Sequence, residues 1–320
     1  MRNYLLLLFF AITLMASYGQ PVPAVDENIP YLQTFGKETS KEWGDDDFTQ
    51  IIFFSVPKDY SKPIYIRVYD PDCGGEIDEI HGPWDTKTTF SVYGGKGACS
   101  EDARKVKLVG NYKSGNLLNT KVFTENSKMD KQWFTFGPFN PSEGEFLPEY
   151  GGCVFKIMIE GTAGDDGNLY RLFLSTSASA NQPVEGANAF YFKYKFRMHE
   201  DQNEVSHIYP YIDDKVITLR QGNFDWDYDG TIRIISVAKN GEVMKTSLNN
   251  DWATSQHRVV EAEKNTSYDI QLIKNKREKI KNNNVVIYLQ NQYGTALPFY
   301  SIPIGGIPKY KYTISIKPKK

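Results

Sequence analysis

Apolar residues recur at every second position along much of this chain, the period of a half-buried strand. In Ile64-Tyr65-Ile66-Arg67-Val68-Tyr69, the residues Ile64, Ile66 and Val68 share one face. In the run from Phe190 to Phe196, Phe190, Phe192, Tyr194 and Phe196 share a face, and Lys193 and Lys195 are then expected at water. The same pattern predicts strands over Gln50–Val56, Thr88–Tyr93, Trp133–Phe136, Val154–Glu160, Asn168–Ser175, Thr231–Val237, Tyr268–Lys274, Val285–Gln290 and Tyr310–Ile316. No window carries the spacing of an amphipathic helix of ten or more residues. Gly, Asn, Asp and Pro separate the strands, which points to an all-β chain of antiparallel, jelly-roll-like β-sandwiches rather than βαβ units.

The small, polar stretch Ser175–Pro183 lies between two strongly patterned blocks and is the best candidate boundary. It gives one expected sandwich over residues 41–178 and another over 184–320. The alternative is a long loop inside a single larger sandwich. At the N-terminus, Arg2 precedes an apolar run from Tyr4 to Leu14, followed by Ala16-Ser17-Tyr18-Gly19-Gln20. This reads as a signal peptide over 1–20 with a leader over 21–40, and so as an exported chain, periplasmic or extracellular. The apolar run is shorter than the roughly 20 residues that span a bilayer as a helix, so the mature chain is not expected to span the membrane.

Charge narrows the partners. Lys and Arg total 37 against 39 Asp and Glu, a net charge of −2, which argues against a dedicated nucleic-acid binder and leaves a protein or glycan of the cell envelope as the expected partner. With 21 Tyr and 19 Phe the chain has ample apolar and aromatic area for a core. An oxidising compartment would allow cysteines to pair, and Cys73 and Cys99, both in Gly-rich turns, are the expected pair. Cys153, which opens an apolar strand, is the expected free thiol.

The most distinctive chemistry is Tyr69-Asp70-Pro71-Asp72-Cys73-Gly74-Gly75-Glu76-Ile77-Asp78-Glu79, directly after a strand. Carboxylates in a Gly-containing turn can converge on Ca²⁺, which takes about six to eight oxygens and tolerates irregular loops. Asp70, Asp72, Glu76 and Asp78 are therefore candidate ligands, as are Asp165 and Asp166 at the start of a later strand. Asp225-Trp226-Asp227-Tyr228-Asp229-Gly230 has the opening spacing of an EF-hand loop, so Asp225, Asp227 and Asp229 join the candidates. That loop fails at its twelfth position, where Ser236 stands in place of a bidentate carboxylate. For each group the competing reading is a solvated acidic turn, since Asp and Asn favour turns without any ion.

Three segments, Ile51-Ile52-Phe53-Phe54-Ser55-Val56-Pro57, Ile64 to Asp72, and Asp165-Asp166-Gly167-Asn168-Leu169-Tyr170-Arg171-Leu172, resemble exported β-sandwich modules of the bacterial pre-peptidase C-terminal type and their jelly-roll relatives. The resemblance covers roughly residues 40 to 180 and departs from the pattern in the lysine-rich insert Glu101–Lys131. It implies a noncatalytic accessory module, in some members holding Ca²⁺ and in some contacting polymers. Of the familiar catalytic motifs, G-x-S-x-G, H-E-x-x-H, a P-loop, G-x-G-x-x-G and C-x-x-C are all missing from the sequence. His81, His199, His207 and His257 are scattered. Trp84, Trp133, Trp226 and Trp252 lie at or near turns, and Trp84, Trp226 and Tyr228 are the candidate stacking platforms for a sugar ring. The expected function is thus an exported, noncatalytic, calcium-stabilised binding or structural module. The alternative is a carbohydrate-active protein, either a glycan-binding module or a glycoside hydrolase.

Overall fold

The computed structural model describes residues 31–40, 48–276 and 280–311. The expected signal peptide, 1–20, lies outside them, as does most of the expected strand Tyr310–Ile316, whose described residues 310 and 311 are not extended in a sheet.

The early strands are β1 (Tyr31–Phe35), β2 (Thr49–Pro57), β3 (Ile64–Tyr69), β4 (Lys87–Gly94), β5 (Asn116–Phe123), β6 (Trp133–Phe139), β7 (Glu145–Leu147), β8 (Gly152–Ala163) and β9 (Gly167–Ser175). The later ones are β10 (Asn188–Tyr191), β11 (Lys193–Arg197), β12 (Val205–Ile212), β13 (Thr218–Phe224), β14 (Gly230–Ile235) and β15 (Asn240–Met244). They continue with β16 (Trp252–Arg258), β17 (Thr266–Ser267), β18 (Asp269–Lys274), β19 (Asn284–Gln290) and β20 (Phe299–Tyr300). Two antiparallel sheets result. One has eight strands in the order β16-β13-β19-β11-β1-β9-β3-β6; the other runs β15-β14-β18-β12-β20-β10-β2-β8-β4-β5, with β7 and β17 at its sides.

The alternation read from sequence builds the core between these sheets. Ile64, Ile66 and Val68 of β3 meet Tyr170, Leu172 and Leu174 of β9 and Ile52, Phe54 and Val56 of β2 in one continuous apolar cluster, which extends to Ile270 and Leu272 of β18 and Ile287 of β19. Strand β2 is buried on both faces, which explains its unbroken apolar run. Its outer face, Ile51 and Phe53, packs with Tyr93, Cys99, Met158 and Phe190 in a second cluster. Lys156 is fully buried on that same side; its Nζ donates to the carbonyls of Tyr112 and Ser114 at 2.7 Å each, and burial lowers its pKa to about 8.

Two expectations require correction. The second half of the expected leader, Tyr31–Phe35, is an interior strand, held between β9 and β11. The stretch 175–183 lies between two blocks that stay contiguous in both sheets, β1–β9 and β10–β20, with the sheets continuing from one block to the other through the β1–β11 and β2–β10 pairings. Thr135 Oγ1 donates to Ala178 O at 2.9 Å and Arg67 donates to Asn181, pinning that loop across the sheet. Finally, Phe190–Phe196 is two strands. The chain crosses from one sheet to the other at Phe192, so Phe190 faces the outer cluster while Tyr194 and Phe196 face the main core. Lys195 is buried as a result, with Nζ donating to Thr49 O at 2.8 Å.

Candidate metal centre at the acidic loops

Strand β3 ends at Tyr69, and Asp70 turns the chain with φ of 56°, a left-handed conformation that Asp tolerates better than most residues. This turn sends Asp70 and Asp72 back under the 126–131 turn, which precedes β6. Asp70 Oδ1 accepts from Lys131 N at 2.8 Å and Asp72 Oδ2 accepts from Asn126 N at 2.9 Å. Both residues are essentially inaccessible to solvent. Each then has one oxygen left: Asp70 Oδ2 and Asp72 Oδ1 are buried without a hydrogen-bond partner, and so is Asp130 Oδ1 from the same turn. The Asp130 carboxylate packs directly on Gly75, where φ is 84° and a Cβ would lie 2.5 Å from Asp130 Oδ1, so a side chain there would collide with it.

The electrostatics follow. Burial raises the Asp70 pKa to about 7, and repulsion from Asp72 and Asp130 adds to it against the opposing Lys131 N–H. Burial likewise raises Asp72 to about 6. Two adjacent carboxylates without a cation retain protons at pH values where a solvated Asp is fully ionised. A cation at the spare oxygens of Asp70 and Asp72 would replace those protons.

The other predicted acids behave differently. Asp78 is buried and its pKa sits well above the ordinary value through burial, but both of its oxygens are engaged, Oδ2 by Gly74 N and Oδ1 by Leu169 N at 2.7 Å each. It ties the loop to β9. Glu76 is exposed and salt-bridged to Lys131 Nζ at 2.6 Å, so it points away from the buried carboxylates. Asp166 is fully buried and accepts from the backbone of His81 at 2.9 Å, Asp85 at 3.0 Å and Thr86 at 3.2 Å. One oxygen each from Asp85, Asp165 and Asp166 falls within 4.8 Å of the others, with Asp85 exposed and Asp165 half-buried. This second cluster is partly served by backbone donors already.

In the EF-hand-like loop one oxygen of Asp229 already meets a cation of the chain, while its Oδ1 is buried without a hydrogen-bond partner. The Lys274 ammonium is bonded to Asp229 Oδ2, with Asn283 Nδ2 donating to the same oxygen at 3.0 Å. Both charged residues are buried, so the positive charge belongs to the chain itself. Asp225 Oδ1 accepts from Asn250 N at 2.7 Å, and burial raises its pKa to about 7; burial also raises the pKa of Asp227.

The aromatic expectations divide. Trp226 is fully buried in the core and offers no platform; Trp84 is half-buried beside Asp85; Tyr228 is exposed at the loop tip. Trp252, outside the favoured platforms, is 40% exposed and stands on a sheet face. The expected Cys73–Cys99 disulfide is absent: all three cysteines are free. Cys73 is buried beside Asp72, Asp78 and Asp166, whereas Cys99 packs in the outer cluster near Arg104 and Glu145. Burial pushes the Cys99 thiol up to about 12 and the Cys73 thiol higher still.

The sequence locates Asp70 and Asp72 and sets Asp85 beside the acidic loop with His81 and Trp84, though not as a ligand, and it gives no sign of Asp130. Asp130 stands in a polar turn with no local signal separating it from other turn acids. Compared with known proteins, the chain matches no family model and no curated protein sequence.

Proposed function

We propose that the chain is an exported, noncatalytic binding or structural module of β-sandwich architecture, stabilised by Ca²⁺ held at Asp70 and Asp72. The observation that carries this reading is the adjacent buried pair Asp70 and Asp72, each with one carboxylate oxygen that no donor of the chain serves. Buried polar groups are ordinarily satisfied, and an orphaned, repelling pair is costly unless an ion joins it. The donor set is all oxygen, which suits a hard cation such as Ca²⁺ rather than a transition metal. The ion would hold Asp70 and Asp72 beside the 126–131 turn, whose backbone bonds their other oxygens, and so fix this sheet end. Export is supported by the apolar run from Tyr4 to Leu14 and the small residues after it. The likeness of residues 40–180 to pre-peptidase C-terminal-type modules supports an accessory rather than a catalytic role.

The test is thermal unfolding of the protein in EDTA and then in millimolar Ca²⁺, since an ion that binds only the native state stabilises it by RT ln(1 + [L]/Kd). A rise of several degrees, abolished in Asp72→Ala, is the expected result. An identical midpoint with and without Ca²⁺ would refute the ion.

A further inference from the structure

We infer that the sheet face formed by β11, β13, β16 and β19, with the cleft beside it, binds an acidic polysaccharide through aromatic stacking and cation pairing. This ligand deepens the proposed binding role, yet its site uses none of the acidic-loop residues and stands or falls apart from the ion.

The first observation is charge. In a chain of net charge −2, these four adjacent strands contain five Lys and Arg residues, Lys193, Lys195, Arg197, Arg220 and Arg258, and no Asp or Glu. Lys195 and Arg197 are buried under loops, the latter bonded to Glu79 at 2.6 Å, but Lys193, Arg220 and Arg258 remain at the solvent side.

The second observation is a supported aromatic surface among those cations. Tyr288 lies across Gly222 so closely that a Cβ there would stand 2.2 Å from its Cζ; only glycine lets the ring lie flat on the strand. Trp252 packs beside it at 5.5 Å between centroids and rests on Phe224 at 5.1 Å. Lys193 Nζ stands 5.9 Å from the Trp252 ring, and both Arg220 and Lys193 oppose the burial that raises the Tyr288 pKa. Two rings supported on a rigid sheet and tilted by 49° to one another, with cations near them, match a pyranose that presents an apolar face and a charged substituent together.

The third observation is the cleft into which this face leads. Gln290, directly opposite Arg220 in the β13–β19 register, lines an open cleft of about 690 Å³, within the range of about 300–1,000 Å³ typical of ligand sites. Arg104, Lys105 and Lys107 line its wall with Glu101, Lys105 being paired with Asp102 at 2.7 Å, which leaves Arg104 and Lys107 as the cations outside that pair. Tyr293, 80% exposed, and Tyr150, stacked on Phe190 at 4.4 Å, flank it. A smaller hollow shared by Lys105, Phe192 and Lys193 joins the cleft to the sheet face. A chain of acidic sugars laid from Trp252 past Gln290 to Tyr293 would meet rings, amides and cations in turn.

The experiment is calorimetric titration of the full chain in calcium-free buffer with polygalacturonate, with a neutral glucan, and with a single-stranded DNA oligonucleotide matched in charge. Polygalacturonate is expected to bind, weakening as salt rises from about 0.05 to about 0.5 M, and the glucan and DNA are not. Trp252→Ala and Tyr293→Ala should each weaken it about tenfold, and Lys107→Gln should flatten the salt dependence; all three positions are surface ones, so the variants should keep the wild-type melting temperature. The inference is overturned if polygalacturonate binds no better than the glucan, if DNA binds as tightly, or if folded Trp252→Ala and Tyr293→Ala variants bind like the wild type.

Discussion

Replacing Asp70 by Asn isolates what the buried carboxylate pair costs the ion-free protein. In the unfolded chain Asp70 ionises near pH 4, whereas in the folded protein burial and its neighbours hold its pKa at about 7. Between those values the native state binds more protons than the unfolded state, so stability falls as pH rises from about 4 to about 7. By pH 8 a shift of about three units corresponds to about 4 kcal/mol of lost stability. Asn carries no charge to bury. Its amide oxygen can still accept from Lys131 N, and its amide nitrogen can donate toward Asp72 Oδ1, which has no partner. Asp70→Asn is therefore expected to exceed the wild type in EDTA at pH 8 by about 2–4 kcal/mol, on the order of 4–10 °C in melting temperature, with the gap closing toward pH 5. In millimolar Ca²⁺ the order should reverse, because only the wild type retains the full ligand set. Circular-dichroism melts of both proteins at pH 5 and pH 8, each with EDTA and with Ca²⁺, measure all four values. An Asp70→Asn variant less stable than the wild type in EDTA at both pH values, or one that keeps the Ca²⁺-induced rise, would refute the reasoning.

Other perturbations test the rest of the molecule. Lys274→Met leaves Asp229 buried without its cation and should cost about 3–5 kcal/mol in urea unfolding, while the Lys274→Met/Asp229→Asn pair recovers some of that loss. His257 is buried with Glu242 Oε2 and Glu263 Oε2 each 3.1 Å from a ring nitrogen; burial works against its charge, but the two carboxylates outweigh it and raise its pKa. The stabilisation from His257 is then complete below about pH 6.5 and lost as pH climbs through the folded pKa, which an NMR titration of the imidazole should place above 6.5 in the folded protein. A thiol-reactive dye without reductant should find Cys153 in the native state and three thiols after unfolding; a single thiol after unfolding would mean that Cys73 and Cys99 pair.

The alternation of Ile64, Ile66 and Val68, and of the apolar residues in β8, β9 and β19, settles strand and core face locally, because a side chain's face on a strand depends only on parity. That parity, with Gly and Asn turns between, sufficed for an all-β antiparallel fold. Asp70 and Asp72 were equally legible, since they directly follow a strand and must stand at a sheet end. Tertiary structure decided what parity leaves open. Phe190 and Phe196 share a sequence phase but not a core, because the chain changes sheets at Phe192. Lys274 is sequence-distant from Asp229, yet β14 and β18 pair Gly230 with Lys274 and so bring an ammonium into a loop whose spacing suggests calcium. Asp130 reaches Asp70 and Asp72 only because β6 pairs with β3, and Trp226 and Trp252 exchange their expected exposure because one caps the core while the other stands on an outer sheet face. Pairing partners and sheet order are long-range choices made by the whole core at once, and no local pattern of residues contains them.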